Sequence, residues 1–215
     1  MNGTDGTAPE DPDDWRSPVL FARALSPTDL AARLGADLST AREGVVEEEV
    51  ELLLGEWYRP GGSRDGLIRV GERDGWAFAV EYGGIRGRAR LAEASRDGGE
   101  AVRYEPPGAD PATEPADFSH ARDGTVLYGY GLTAEHRRYG TRRALRDLPV
   151  PDLVAAGLLT PDGGTRIPPP DGRYGTAWRQ SVDFLERRFG LTLSASAFRD
   201  LALTAYPVRA PAQGP

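Results

Sequence analysis

Two clusters of side chains could bind charged partners. Arg137, Arg138, Arg142, Arg143 and Arg146 fall close together, with Tyr139 among them. Guanidinium groups beside an aromatic ring can grip phosphate or stack on a base. The same text also fits a solvated turn and helix start facing an acidic surface. Glu43, Glu47, Glu48, Glu49, Glu51 and Glu56 form the anionic counterpart. They could imitate a phosphate backbone or hold a basic partner. Glu47 and Glu51, one helical turn apart, could also bind a divalent cation weakly. Three consecutive glutamates cannot all point one way, which argues against a built metal site. The plain alternative is the polar face of an amphipathic helix. The candidate binding residues are therefore Glu47, Glu48 and Glu51 on one side and Arg137, Arg138, Arg142 and Arg143 on the other. No residue is assigned a catalytic or metal-binding role.

Other chemistries lack their residues. The chain has no Cys, which excludes disulfides, thiolate metal sites and a cysteine nucleophile. Its basic residues are all Arg, so a phosphate loop ending in Gly-Lys is impossible. Gly129-Tyr130-Gly131 lacks the third glycine and the following helix of a dinucleotide fingerprint. His120 and His136 are the only general bases suited to neutral pH, and neither has a nucleophile at a recognised spacing. His120 precedes an Asp-Gly turn. His136 sits in the arginine cluster, which disfavours its protonated form. Carboxylate pairing is a spatial matter, and no acidic residue here sits in a hydrolytic motif. Trp57, Trp76, Tyr128 and Tyr130 could line a groove. As alternating strand residues they fit a core equally well.

Charge and composition narrow the partners. With 26 basic and 33 acidic residues the net charge is −7, a poor basis for nucleic-acid binding. No apolar stretch reaches the length of a membrane span. The start of the chain is acidic and polar, without the basic and apolar regions of a secretory leader. The expectation is a cytoplasmic protein without a cofactor.

The elements that must position these residues can be traced. Residues 1–14 read as a disordered acidic tail, 15–206 as one domain and 207–215 as a flexible tail. Pro-rich loops are expected at 106–116 and 160–175. Ser17 to Leu25 reads as a strand. Ser26-Pro27-Thr28-Asp29 opens a helix that Gly35 closes. Thr40 and Glu43 resemble a capping box for a helix with Val46, Val50, Leu53, Leu54 and Trp57 on one stripe. Asp74-Gly75 and Asp123-Gly124 each mark a hairpin. Between them lie a short helix at 88–95, with Leu91 inward, and a strand at 100–104. In the second hairpin Val126, Tyr128 and Tyr130 are expected on one face. The tetrapeptide Arg-Tyr-Gly-Thr occurs at 138–141 and 173–176, with Thr141 and Thr176 read as helix caps. A short helix is expected at 151–159. A stronger one carries Trp178, Val182, Leu185 and Phe189. A last helix would turn Phe198, Leu201, Ala202 and Ala205 inward and end at Pro207. The predicted fold is α+β: an antiparallel sheet of about five strands packed by helices from both ends of the chain.

Three segments, SPVLFARALSPTDLAARLGAD at 17–37, DGWAFAVEYGGIRG at 74–87 and FLERRFGLTLSASAF at 184–198, together resemble an actinobacterial domain of unknown function. The resemblance covers about half the chain and contains no catalytic motif. It implies an actinobacterial, cytoplasmic protein and carries over no activity, cofactor or site residue.

The balance of motifs is against an enzyme. It favours an intracellular binding module, of an immunity or regulatory type, that recognises another protein through an acidic surface. The alternative is a small-molecule or nucleotide-handling enzyme using the Arg137–Arg146 cluster, with His136 as acid or base. A small-molecule ligand thus stays open.

Overall fold

The computed structural model describes residues 17–57, 66–83, 87–106, 116–131, 138–139, 148–161, 174–191, 193 and 196–208. Its frame is an antiparallel sheet of nine strands among these residues: β1 (Val19–Arg23), β2 (Arg42–Val45), β3 (Gly66–Arg73), β4 (Trp76–Tyr82), β5 (Glu100–Glu105), β6 (Asp117–Arg122), β7 (Thr125–Gly131), β8 (Arg138–Tyr139) and β9 (Leu203–Val208). The spatial order is β2-β9-β3-β4-β1-β5-β6-β7-β8. Helices α1 (Pro27–Arg33), α2 (Val50–Trp57), α3 (Gly87–Ala94), α4 (Val150–Ala155), α5 (Tyr174–Phe189) and α6 (Ser196–Arg199) complete the described elements. The α+β class holds, but the expectation of about five strands is too low.

Alternation of large and small residues builds two unlike faces. In β4, Trp76, Phe78 and Val80 point one way and Ala77 and Ala79 the other. In β1, Val19 and Phe21 oppose Leu20 and Ala22 in the same manner. The small face carries Ala22, Ala77, Ala79, Ala101 and Ala121, so α1 and α3 seat Leu30, Leu34 and Leu91 close against it. The large face carries Phe21, Trp76, Phe78, Phe118, Tyr128 and Tyr130 and is covered by Leu153 of α4, Phe184, Leu185 and Phe189 of α5 and Phe198 of α6. Phe78 and Phe198 meet edge to face at 4.8 Å, a geometry that adds about 0.5–1.5 kcal/mol beyond simple burial.

Local signals explain the ends of the elements. The Asp29 N–H donates to Ser26 Oγ at 3.1 Å, and the Ser26 hydroxyl donates to Asp29 Oδ2 at 2.6 Å, which starts α1 as expected. Both hairpins turn at Asp-Gly: φ is 52° and 76° at Asp74 and Gly75, and 47° and 72° at Asp123 and Gly124. Two successive positive φ values are what a tight two-residue hairpin matched to strand twist requires.

Four local expectations are corrected. Residues 42–45 form β2, and α2 begins only at Val50. Gly44 has φ +76°, and Thr40 belongs to a 3₁₀ turn capped by Asp37. The segment after α6 is β9 rather than helix. Leu203 and Ala205 face one way and Tyr206 and Val208 the other, while Thr204, Tyr206 and Val208 suit a strand. Pro207 is tolerated there because its backbone faces away from β3, beyond the last residue of β9 that β2 pairs. Its carbonyl accepts the Asp37 N–H at 3.4 Å. The strand thus continues to Val208, two residues past the expected boundary. In β7 a bulge between the pairs Ala121↔Val126 and His120↔Tyr128 turns Val126 to the small face, away from Tyr128 and Tyr130. Finally, α5 starts at Tyr174, so Thr176 lies inside its first turn and the preceding loop is shorter than expected. The first Arg-Tyr-Gly-Thr copy contributes Arg138 and Tyr139 to β8. The expected tail at 1–14, the cap Thr141 and most of both Pro-rich loops lie outside the described residues.

Candidate functional site

The β2–α2 edge holds all three predicted glutamates. Val45, Val50, Leu53, Leu67 and Ala205 form a small core that pins α2 to the sheet, with Leu54 and Trp57 packed beside it. This anchoring sends Glu48, Glu51, Leu52 and Glu56 outward. Leu52 is 68% exposed, well above the next exposed large hydrophobic residue among the described residues, Leu38 at 42%. A protruding leucine among carboxylates was not anticipated from sequence, because it lies next to Leu53 in an unbroken apolar run. The edge strand itself is blunted: it is four residues long and its register slips between Arg42 and Val45. Such irregularity discourages strand addition and leaves the helix face as the accessible feature.

The three consecutive glutamates do separate. Glu49 Oε2 accepts the Val46 N–H at 3.1 Å and so caps the 3₁₀ turn Glu47–Glu49. Glu48 is exposed. Glu47 turns inward, its Oε2 3.8 Å from Arg69 Nη2 and 4.0 Å from Arg199 Nε. Arg69 is fully buried. Its guanidinium donates to Tyr82 Oη at 2.8 and 3.1 Å and to the carbonyls of Val45, Leu201 and Phe198 at 3.2–3.3 Å. Burial, tempered by Arg69, pushes the Tyr82 phenol up to about 12, so it stays protonated. Glu47 is thus a counter-ion for the core, and Glu48 and Glu51 are the outward pair. Among the described residues no group of three or more His, Asp or Glu converges as metal ligands would.

Of the arginine cluster, Arg138 lies in β8, where its backbone pairs with Tyr130. Arg137, Arg142 and Arg143, with Arg146 and His136, lie outside the described residues.

Two polar networks lie inside the sheet layers. On the large face Glu100 meets His120 Nε2 at 2.9 Å, Arg122 Nη2 at 2.8 Å and Arg23 Nη1 at 3.6 Å. Burial tends to raise the Glu100 carboxyl, but the Arg122 and His120 hydrogen bonds outweigh it and hold it below its usual value. Burial lowers His120, helped by Arg122 and Arg188 and only partly opposed by Glu100. The neutral ring therefore donates Nε2–H to Glu100. Its Nδ1 is buried without a hydrogen-bond partner, between the rings of Tyr128 and Phe189 at 5.1 and 5.0 Å. A Glu-His pair can orient a general base, but here the nitrogen that would act is sealed from solvent.

On the small face, Arg103 is fully buried and bonds Glu81 Oε1 at 3.2 Å and Glu105 Oε2 at 2.9 Å. Glu81 also accepts the Gly87 N–H at 2.8 Å, and Arg88 bridges to Asp117. Burial tends to lower Arg103, but Glu81, Glu105 and Asp117 raise it overall. Three of the buried charges did have a sequence signal: Arg69, Glu81 and Arg103 are single charges set in apolar strand text, LIRV, AVEY and AVRY. A lone charge there must be paired to be buried.

The chain matches no protein-family model. Neither a curated protein nor a solved structure is significantly similar to it. No helix among the described residues is long and apolar enough to cross a membrane.

Proposed function

We propose that the protein is a non-catalytic binding module that takes a basic protein partner on the outer face of α2. The observation that carries this reading is Leu52, 68% exposed and flanked by the outward carboxylates Glu48 and Glu51. An apolar anchor ringed by charge is the usual make-up of a protein contact. A net charge of −7 would speed encounter with a basic partner. The polar networks favour the same reading: their charges are spent on one another, and the His120 base is closed off. A protein that neutralises or regulates a basic partner inside the cell fits these features.

The test is capture from a lysate of the source organism with the unaltered chain and with a Glu48→Lys/Glu51→Lys variant. A stoichiometric basic protein lost by the variant supports the reading, provided the variant melts at the same temperature. A partner retained equally by both contradicts it.

A further inference from the structure

We propose that His120 is an acid-operated latch on the end of α5: when its ring takes up a proton, Phe189 and the segment behind it leave the sheet. The ring is a wedge. It sits between Tyr128 of β7 and Phe189 of α5, and its one hydrogen bond runs to Glu100 of β5. A second ring proton would reside on Nδ1, which is buried and has no acceptor.

The charges around the ring oppose that proton. Arg122 of its own strand β6 faces it, as does Arg188 of α5. Arg23 of β1 stands behind Glu100 at 3.6 Å. The opposing carboxylates are Glu100 and, paired with Arg188, Asp152 of α4. Tyr128 carries no charge, because burial pushes its phenol up to about 12. Three guanidiniums therefore already outnumber two carboxylates, and an imidazolium would add a fourth positive charge.

Relief requires the ring to reach water, and Phe189 stands in the way. The Phe189 carbonyl, at the end of α5, accepts from Arg23 Nη2 at 3.0 Å and from Trp76 Nε1 at 3.3 Å. Gly190 follows with φ +65° and leads to Leu191 and Leu193, both buried on the same face. Moving Phe189 breaks both bonds to its carbonyl and loosens Leu191 behind it. Helix α1, packed on the opposite, small face, lies away from the ring and should not respond.

The experiment is hydrogen exchange on the full chain across mildly acidic pH, corrected for intrinsic exchange, with nuclear magnetic resonance titration of the His120 ring. Opening that requires one proton should rise about tenfold per pH unit below the ordinary histidine value of about 6.5. The rise should appear at residues 184–191, be absent from α1, and follow the ring's titration. His120→Gln, which keeps a donor to Glu100 but cannot titrate, should abolish it. Exchange at 184–191 that is independent of pH, or equally pH-dependent in His120→Gln, would overturn the proposal. The ring titration decides without a variant: an opening midpoint unrelated to it overturns the latch.

Discussion

The carboxylate of Glu47 stands 3.8 Å from Arg69 Nη2 and ties the α2 surface to the interior of the sheet. Arg69 is the fixed end of this pair, held by Tyr82 and three backbone carbonyls. Glu47 is the half-exposed end, and no other carboxylate is paired with Arg69 among the described residues.

Glu47→Gln should therefore destabilise the fold, while Glu48→Gln should not. Losing the counter-ion of a buried guanidinium costs about 1–2 kcal/mol when the lost partner is partly solvated. An outward glutamate changes stability by less than about 0.5 kcal/mol. Urea unfolding of the two variants checks the difference. Equal midpoints would show that Arg69 does not depend on Glu47.

Arg103→Met should be among the most damaging substitutions in the chain. It leaves Glu81 and Glu105 without the guanidinium that bonds both. Breaking one side of a buried charged pair costs about 3–5 kcal/mol. Gly87→Ala should disturb the same network from the helix side, because a Cβ there would lie 2.2 Å from Glu81 Oε1. Denaturant unfolding reads both effects.

Much of this architecture is legible in the text of the chain. The alternation in WAFAV foretells the large and small faces, and two Asp-Gly pairs foretell the hairpins. The segments 17–37, 74–87 and 184–198 meet in space. Phe21 and Phe78 pack on Phe198, and Arg23 lies 4.3 Å over the Trp76 ring, itself edge-on to Phe189. Two failures share a cause. The capping-box signal at Thr40 and Glu43 and the helix-like apolar spacing after Phe198 are both local, and long-range pairing made 42–45 and 203–208 into strands. A nearest-neighbour reading also cannot show that Glu47 turns inward while Glu48 turns outward. That depends on Arg69, more than twenty positions away.

Acid should weaken the protein in two stages. His120 is depressed from its ordinary 6.5 by burial, so the folded state prefers the neutral ring. Its contribution is complete above about pH 6.5 and is lost as pH falls from there towards the lower folded value. Glu100 is held below its ordinary 4.5 by Arg122 and His120 despite its burial. Its contribution is present above about pH 4.5 and is lost as pH falls through its own lower folded value. Urea unfolding between about pH 8 and pH 4 should show the first decline in the unaltered chain and not in His120→Gln. A decline of equal size in both would assign it to another group.

The exposed leucine gives a separate handle on recognition. Leu52→Ser removes apolar surface that is already 68% exposed, so stability should change by less than about 0.5 kcal/mol. Partner affinity should fall by about 2 kcal/mol or more if Leu52 anchors the contact. Calorimetric titration of the captured partner against both forms separates the two effects.

The central claim is that the face of α2 is where this protein meets another. Its most direct test is the dissociation constant of the captured partner for the unaltered chain and for Glu48→Lys/Glu51→Lys, measured at one salt concentration with melting temperatures alongside. Affinity at least tenfold weaker at an unchanged melting temperature, about 1.4 kcal/mol or more, is the predicted result. Equal affinity in the two proteins would contradict it and move the contact off α2.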